Sequence, residues 1–476
     1  MEIVKMNSWS LYLDFIDAFS SLTYKGISIA WFVYYWNYLR IKEVNEELIK
    51  PGFEQCLKNK VLTKKQIQSG FNRVMDPIED HVNHNLKDGK ILLYDELNLR
   101  FTPNNYLEYF DSSTTVILRK TAEIKSYLGI PIDKIEDYKN NVEGLIEEYK
   151  IKAKKLLHSY KNHPIFSLPV FQKRFIKREL PAIVTYLVAI VNYFERRLIS
   201  CVLVGGEVDY ISRMLIIVAK TKGIPSICLQ HGIIGSDRGW LPILSTKVAA
   251  FGQFETKFYQ DAGVPKERIE IIGHPRFDRI FTEKHMDKHL LYKKIGISPN
   301  KKTVLITTQP VILDFGKLRR LIKCLLQDKK FEVIIQPHPT EIRRNMLEGY
   351  RRLVKENTSV KLIEFDPELY NIIPNVDVVC VYNSTTGIEA MLFGKPVVYF
   401  RENSSDGAHY DYCDKLIEPN PMALANIIIK LTTDRKFQQY AAGQRKAFIS
   451  KAYPQQISGK KLSDLIYTLS GVRSYR

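Results

Sequence analysis

Cysteine is scarce in this chain: Cys56, Cys201, Cys228, Cys324, Cys380 and Cys413 are the only six in 476 residues, far apart and never as CxxC. That usage excludes a disulfide framework and a dithiol redox motif, and fits reduced, mostly buried thiols of a cytosolic protein. Long hydrophobic runs are missing too. The longest, Ile27 to Tyr38 and Ile183 to Phe194, are interrupted by polar residues and fall short of the ~20 residues needed to span a bilayer. The N-terminus carries Glu2, Lys5, Asp14 and Asp17 with no apolar core or small-residue cleavage site, so no signal peptide is expected. No GxGxxG follows an apolar run, which leaves NAD chemistry unsupported. Gly387 and Gly394-Lys395 are separated by six residues and not four, with Pro396 in the hydroxyl position, which excludes a P-loop. Neither Asp-x-Asp nor HExxH occurs, so no ligand set for a catalytic metal is visible.

What the chain has in excess is positive charge: Lys plus Arg number 70 against 52 Asp plus Glu, a formal +18. Divided at residue 200, the balance is +5 before and +13 after. An acidic partner follows, but the cations are dispersed without a recognition motif, so nucleic acid is not expected. With 45% hydrophobic and 26% charged residues the chain can bury two cores of Rossmann size.

Four segments are expected: a helical, aromatic-rich N-terminal extension (1–85), a first Rossmann-like domain (86–285), a second (290–455), and a C-terminal helix crossing back (456–476). In the extension, Trp31, Phe32, Tyr34, Tyr35, Trp36 and Tyr38 precede Arg40 and Lys42. That cluster fits a buried core and, less often, a membrane interface. Ile132 to Tyr160 reads as one amphipathic helix, Phe166 to Leu180 as a basic loop, and Thr282 to Lys302 as the interdomain linker. From Ser200 onward short apolar runs alternate with helical stretches, the pattern of parallel strands covered on both faces. The fold class is α/β, with two doubly wound domains and a cleft between them.

Ligands of such sheets sit at the carboxyl ends of strands, and four loops there carry unusual chemistry. Gln230-His231-Gly232 follows one run and continues to Asp237; its imidazole can act as a general base, hold a phosphate or only fix the loop. Gly273-His274-Pro275-Arg276-Phe277-Asp278 follows another, where Arg276 and Asp278 reach a substrate or pair with each other at the interdomain crossover. Gln336-Pro337-His338-Pro339 ends a third, with Glu341 and Arg343 close behind; the prolines stiffen a turn whose imidazole can donate to a phosphoryl oxygen. Asn383-Ser384-Thr385-Thr386-Gly387 lies between a strand and a helix start. Its hydroxyls and backbone N–H groups form an anion site, and Glu389, farther in, can accept a ribose hydroxyl.

Together QHG, GHPRFD, QPHP and NSTTGIEAMLFGKPVVYF resemble the nucleotide-sugar enzymes of GT-B architecture, over roughly residues 200 to 400. The texture is similar to bacterial capsule and surface-polysaccharide glycosyltransferases, including Kdo and sialic acid transferases. In those families an HP motif and a Ser/Thr-rich loop bind the cytidine nucleotide, a pairing that His338-Pro339 and Ser384-Thr385-Thr386 resemble. CDP-glycerol glycerophosphotransferases share the HG, PR-x-D and HP elements, but usually carry an acidic residue after their serine pair, where Gly387-Ile388-Glu389 stands here. UDP-N-acetylglucosamine 2-epimerases share the fold, but place an acidic residue after their HG, where Ile233 stands.

The resemblance implies a glycosyltransferase, metal-independent and without a cofactor, moving a sugar from a nucleotide donor, a CMP-sugar foremost, to a cell-surface polysaccharide or lipid-linked acceptor. His338, Pro339, Ser384, Thr385, Thr386, Gly387 and Glu389 would hold the nucleotide. His231, with Glu207 and Asp237 as further candidates, would deprotonate the acceptor, and Gly232, His274, Arg276 and Asp278 would lie at the substrate or domain interface. The basic residues would hold a cytoplasmic enzyme at the anionic inner face of the plasma membrane. A CDP-polyol phosphotransferase or an epimerase is the alternative.

Overall fold

Short runs of Val, Ile, Leu and Cys bounded by Gly, Pro and polar residues form buried strands. The computed structural model, which describes residues 2–75, 86–310, 314–364, 366–401 and 415–475, arranges them in two main sheets. The first holds β1 (Lys90–Tyr94), β2 (Thr115–Arg119), β3 (Ser126–Tyr127), β4 (Ile130–Lys134), β5 (Ile199–Val204), β6 (Ser226–Leu229), β7 (Lys247–Ala250) and β8 (Ile269–Ile271). Their spatial order is β8-β7-β6-β5-β1-β2-β4-β3, parallel except for the short antiparallel edge pair β3 and β4. The second sheet holds β9 (Lys302–Thr307), β10 (Phe331–Gln336), β11 (Val360–Leu362), β12 (Val378–Val381) and β13 (Val397–Tyr399), all parallel in the order β11-β10-β9-β12-β13. Each sheet is doubly wound. Its switch point, where successive crossovers leave in opposite directions, lies between β1 and β5 in the first sheet and between β9 and β12 in the second.

Alternation along β1 and β5 sends side chains into two different cores. Leu92, Tyr94, Val202 and Val204 face helices Leu180–Arg196 and Tyr210–Thr221 together with the N-terminal segment. Ile91, Leu93, Cys201 and Leu203 pack with Leu462 and Ile466 of the last helix, Ser458–Ser470, which therefore belongs to the first domain although it follows the second in sequence. The chain crosses between domains twice, at 273–282 and 452–458, and the crossings are welded together. Asp278 accepts from Ser458 N and Gly459 N, both at 2.8 Å, and from Tyr109 Oη at 3.0 Å. Tyr453 Oη accepts from His274 N at 2.8 Å. Approach here is so close that a Cβ on Gly273 would fall 2.5 Å from Ser458 Oγ.

Some local expectations hold and others are corrected. The aromatic extension is core: Trp9, Tyr12, Tyr35 and Tyr38 are fully buried, with Trp9 and Trp36 edge to face at 4.5 Å and Tyr12 stacked on Tyr35 at 5.0 Å. It shares one core with the first domain, so the run is not a membrane-facing cluster. The helix expected over Ile132 to Tyr160 is strand β4, a single 3-10 turn and a helix only from Glu143 to Ser159. The basic stretch Phe166 to Leu180 is mostly helical from Pro169 onward and runs through a π-turn into Leu180–Arg196. The expected linker contains helix Lys288–Ile295, whose Leu291 and Tyr292 are buried in the second core. Cys201, Cys228 and Cys380 are buried thiols; Cys413 lies outside the described residues. No helix among the described residues is long and apolar enough to cross a membrane.

Candidate active site

The loops leaving β5, β6, β10 and β12 come together at and beside the switch points, so the cleft is built by the carboxyl ends of both sheets. On the first-domain side, Gly205 and Gly206 end β5. A Cβ on Gly205 would fall 2.2 Å from the Leu99 backbone, so only glycine lets the β1 and β5 loops close together. His231, just beyond β6, places Nδ1 2.7 Å from Gly205 O and stacks on Trp240 at 4.5 Å and 19°. A carbonyl oxygen only accepts, so Nδ1 carries the proton and Nε2 is left with its lone pair. Burial first, then the positive charge of Arg100, pushes the imidazole pKa down to about 4. His231 is thus an unprotonated base at neutral pH, held in one tautomer.

On the second-domain side, His338 has the opposite tautomer. Its Nδ1 accepts Thr340 N at 3.1 Å, which leaves the proton on Nε2. Glu341 completes a reciprocal cap by accepting His338 N at 2.8 Å, and is itself held by Tyr350 Oη at 2.8 Å and by the Thr308 hydroxyl. Burial keeps the His338 pKa below its ordinary value against the pull of Glu341. The exposed Pro339 is the first residue of that short helix, where its missing N–H is harmless. Ser384 Oγ accepts Thr386 N at 3.2 Å and lies 3.1 Å from Thr386 Oγ1, folding the hydroxyl loop tightly onto helix Thr386–Leu392, which contains Gly387. Gln309, on the loop leaving β9, secures it by donating to Asn383 O at 2.7 Å. A Cβ on Gly232 would stand 3.9 Å from Thr385 Oγ1, so the two domains' loops face each other closely.

Arg276 enters this cleft and pairs with Glu389 at 3.7 Å, both side chains nearly buried. Burial raises the Glu389 carboxyl, while Arg276, Arg100 and Arg279 pull it back. Arg100 donates to His231 O at 3.2 Å and lowers the pKa of His231, His274 and His338, which sets it at the centre of the cluster. The cleft is therefore positive and lined by donors, a setting for phosphate.

Other predicted residues go elsewhere. His274 is fully buried, its Nδ1 accepting Arg276 N at 3.2 Å, and with Asp278 it holds the crossover and not a ligand. Glu207 is buried, its oxygens taken by Leu244 N and by Ser245 N and Oγ, the last at 2.6 Å. It pins the 244–245 loop and is not poised as a base. Asp237 is buried in an ion pair with Lys5 at 2.7 Å, tying the N-terminal helix to the His231 loop. Arg100, Trp240 and Gln309 escape the sequence. Arg100 and Gln309 do lie past strand ends at switch points, and that placement is the signal that could have found them.

A model of the lipid-A-disaccharide synthetase family matches residues 244–460. Among solved structures the chain is similar to the Anabaena protein HepE in complex with UDP and glucose, at 15% identity, 80% of this chain and 100% of that one, with a TM-score of 0.51. It is similar to the UDP-GlcNAc 2-epimerase of Neisseria meningitidis bound to UDP-GlcNAc, at 14% identity, 80% and 99% coverage and a TM-score of 0.51. The UDP-GlcNAc 2-epimerase of Methanocaldococcus jannaschii aligns at 13% identity over 80% and 99%, with a TM-score of 0.50. No curated protein sequence matches.

The fold defines the class, a GT-B architecture, and the family match falls within it. Within that class the matched stretch spans the whole second sheet and both crossings, the part that carries His338 and the hydroxyl loop.

Proposed function

We propose that this protein transfers a sugar from a pyrimidine-nucleotide donor to a hydroxyl of a lipid-linked or surface-polysaccharide acceptor. The observation that carries this assignment is the pair of imidazoles locked in opposite tautomers around Arg100, His231 as a proton acceptor and His338 as a donor. His231 Nε2 takes the proton of the acceptor hydroxyl; the oxygen attacks the anomeric carbon as its bond to the donor phosphate breaks; His338 Nε2–H and the 384–387 backbone receive the charge of the departing phosphate. Glu389 positions the nucleotide through its ribose. Positive charge comes from Arg100 and Arg276, so the reaction is written without a metal ion. The synthetase family match and relatives solved with UDP and UDP-GlcNAc support a uridine donor beside the cytidine donor that the HP and hydroxyl motifs resemble.

A thermal-shift panel of CMP, CDP, UDP, GDP and ADP tests the assignment, since a ligand at 100 times its Kd stabilises by ~2.7 kcal/mol. A pyrimidine nucleotide should raise Tm in the wild type and not in His338→Ala. Equal shifts in both proteins, or none with any nucleotide, refute it, and conversion of UDP-GlcNAc without acceptor would mark an epimerase.

A further inference from the structure

Helix Tyr210–Thr221 carries Arg213 into the core of the first domain, where it is 1% exposed. A guanidinium does not give up its proton in a protein, so a full positive charge is buried there and calls for a counter-charge. The groups it touches are neutral. Its Nε donates to Glu207 O at 2.7 Å, and its Nη1 donates to the Tyr12 hydroxyl and, at 3.4 and 3.5 Å, to Trp31 O and Val33 O of the N-terminal extension. Burial raises the Tyr12 pKa against the pull of Arg213, which keeps the phenol protonated. Asp209 feels the same positive charge but spends its carboxylate on capping the helix, accepting Ser212 N at 2.9 Å. Among the described residues no carboxylate bonds to Arg213, and its Nη2 has no partner.

Arg213 lines a small cavity at the seam between the extension and the first domain. Ile16, Trp31 and Phe71 close it from the extension, Ile217 from the helix, and Pro242 and Leu244 from the loop that carries His231 and Trp240. The centre of a water-sized sphere can move through about 10 Å³ of it, which is room for one small occupant. A second donor there is also unspent, the buried Nε1–H of Trp31. None of the lining side chains offers a hydrogen-bond acceptor, so a water molecule would find no side-chain partner for its own protons. Two free N–H donors and apolar walls suit an occupant that only accepts, carries one negative charge and is weakly hydrated. A phosphate or sulfate, with more charge and more oxygens to satisfy, would be left short of donors.

We propose that this cavity binds a single chloride ion between Arg213 Nη2 and Trp31 Nε1, as the counter-ion that seats the N-terminal extension on the first domain. The ion joins a seam that Gln68 already bridges, through bonds of 2.8 and 2.9 Å to Ile243 O and N in the same loop. Nothing in it depends on the transfer reaction above.

Thermal unfolding of the full chain, with chloride exchanged for the much larger gluconate at constant ionic strength, tests it. Tm should rise with chloride and reach a plateau, as binding to one site requires. Trp31→Phe keeps the ring and removes the N–H, and should move the midpoint to about tenfold higher chloride, the worth of one hydrogen bond to a charged group. Arg213→Met should abolish the plateau. Arg100→Gln, which empties the positive cleft instead, should keep the wild-type midpoint. Crystals of the wild type grown in bromide should show an anomalous-scattering peak between Arg213 Nη2 and Trp31 Nε1, a readout that stands even if Arg213→Met does not fold. A Tm that changes in proportion to chloride without a plateau, a midpoint unmoved by Trp31→Phe, a plateau lost in Arg100→Gln, or no bromide peak at that place would overturn the proposal.

Discussion

The base role of His231 makes a prediction about stability as well as rate. In the folded chain the imidazole pKa is about 4, lowered chiefly by burial. In the unfolded chain it is ~6.5, so the unfolded state takes up the proton first as pH falls. The group's contribution is fully present above about pH 6.5 and is lost progressively down to about pH 4, with stability falling as the solution is acidified. Between about pH 7.5 and about pH 5 the loss from this one imidazole comes to roughly 2 kcal/mol. Urea unfolding of the wild type and of His231→Gln at those two pH values isolates it, because every other group titrates in both proteins. The variant should show a pH dependence smaller by that amount. If the two proteins lose stability in parallel, the ring is not held neutral, and the assignment of a lone pair on Nε2 fails with it. The same low pKa predicts that transfer activity holds down to about pH 5, where an imidazole of ordinary pKa would be mostly protonated.

Two further outcomes separate positioning residues from the site. Asp278→Ala strips the buried acceptor from Ser458 N, Gly459 N and Tyr109 Oη, and at ~1 to 3 kcal/mol per orphaned donor should cost about 3 kcal/mol or more. Urea unfolding would show it and amide exchange would locate it in helix Ser458–Ser470; a loss under about 1 kcal/mol contradicts the weld. Glu207→Gln should lower stability by roughly 1 to 3 kcal/mol while leaving the transfer rate within a few fold, whereas a catalytic base would lose ~10² to 10⁴ in rate.

The sheets were legible because parallel strands buried on both faces must be written as continuous apolar runs, as in Cys201 to Val204 and Val378 to Val381. The errors fall where one signal has two physical causes. Cations and a proline made Phe166 to Leu180 read as a loop, yet Pro169 occupies the start of its helix, the position where proline is favoured, and Lys173, Lys177 and Arg178 lie exposed along it. Ile132 and Ile135 fit a helical stripe as well as a short edge strand followed by a turn, and periodicity over so few residues does not choose.

The candidate site divides along the same line. His338, the 384–387 loop and Glu389 could be placed because their chemistry is local: proline-stiffened turn, strand end and helix start are all written within a few residues. The GHPRFD motif could not be apportioned, since one tight turn sends Arg276 to the cleft and His274 and Asp278 to residues about 180 positions away. Glu207 failed for the same reason, its acceptors being used up by a loop 37 and 38 residues on. Arg100 follows from neither pattern. It sits at φ +53° in a loop of ordinary composition, and only the meeting of β1 with β5 brings it beside His231 and Glu389. A residue's chemistry is readable from sequence when its partners are within a turn of it. When partners arrive through the sheet order, the topology has to be known first, and the switch point between β1 and β5 is the place at which to look for them.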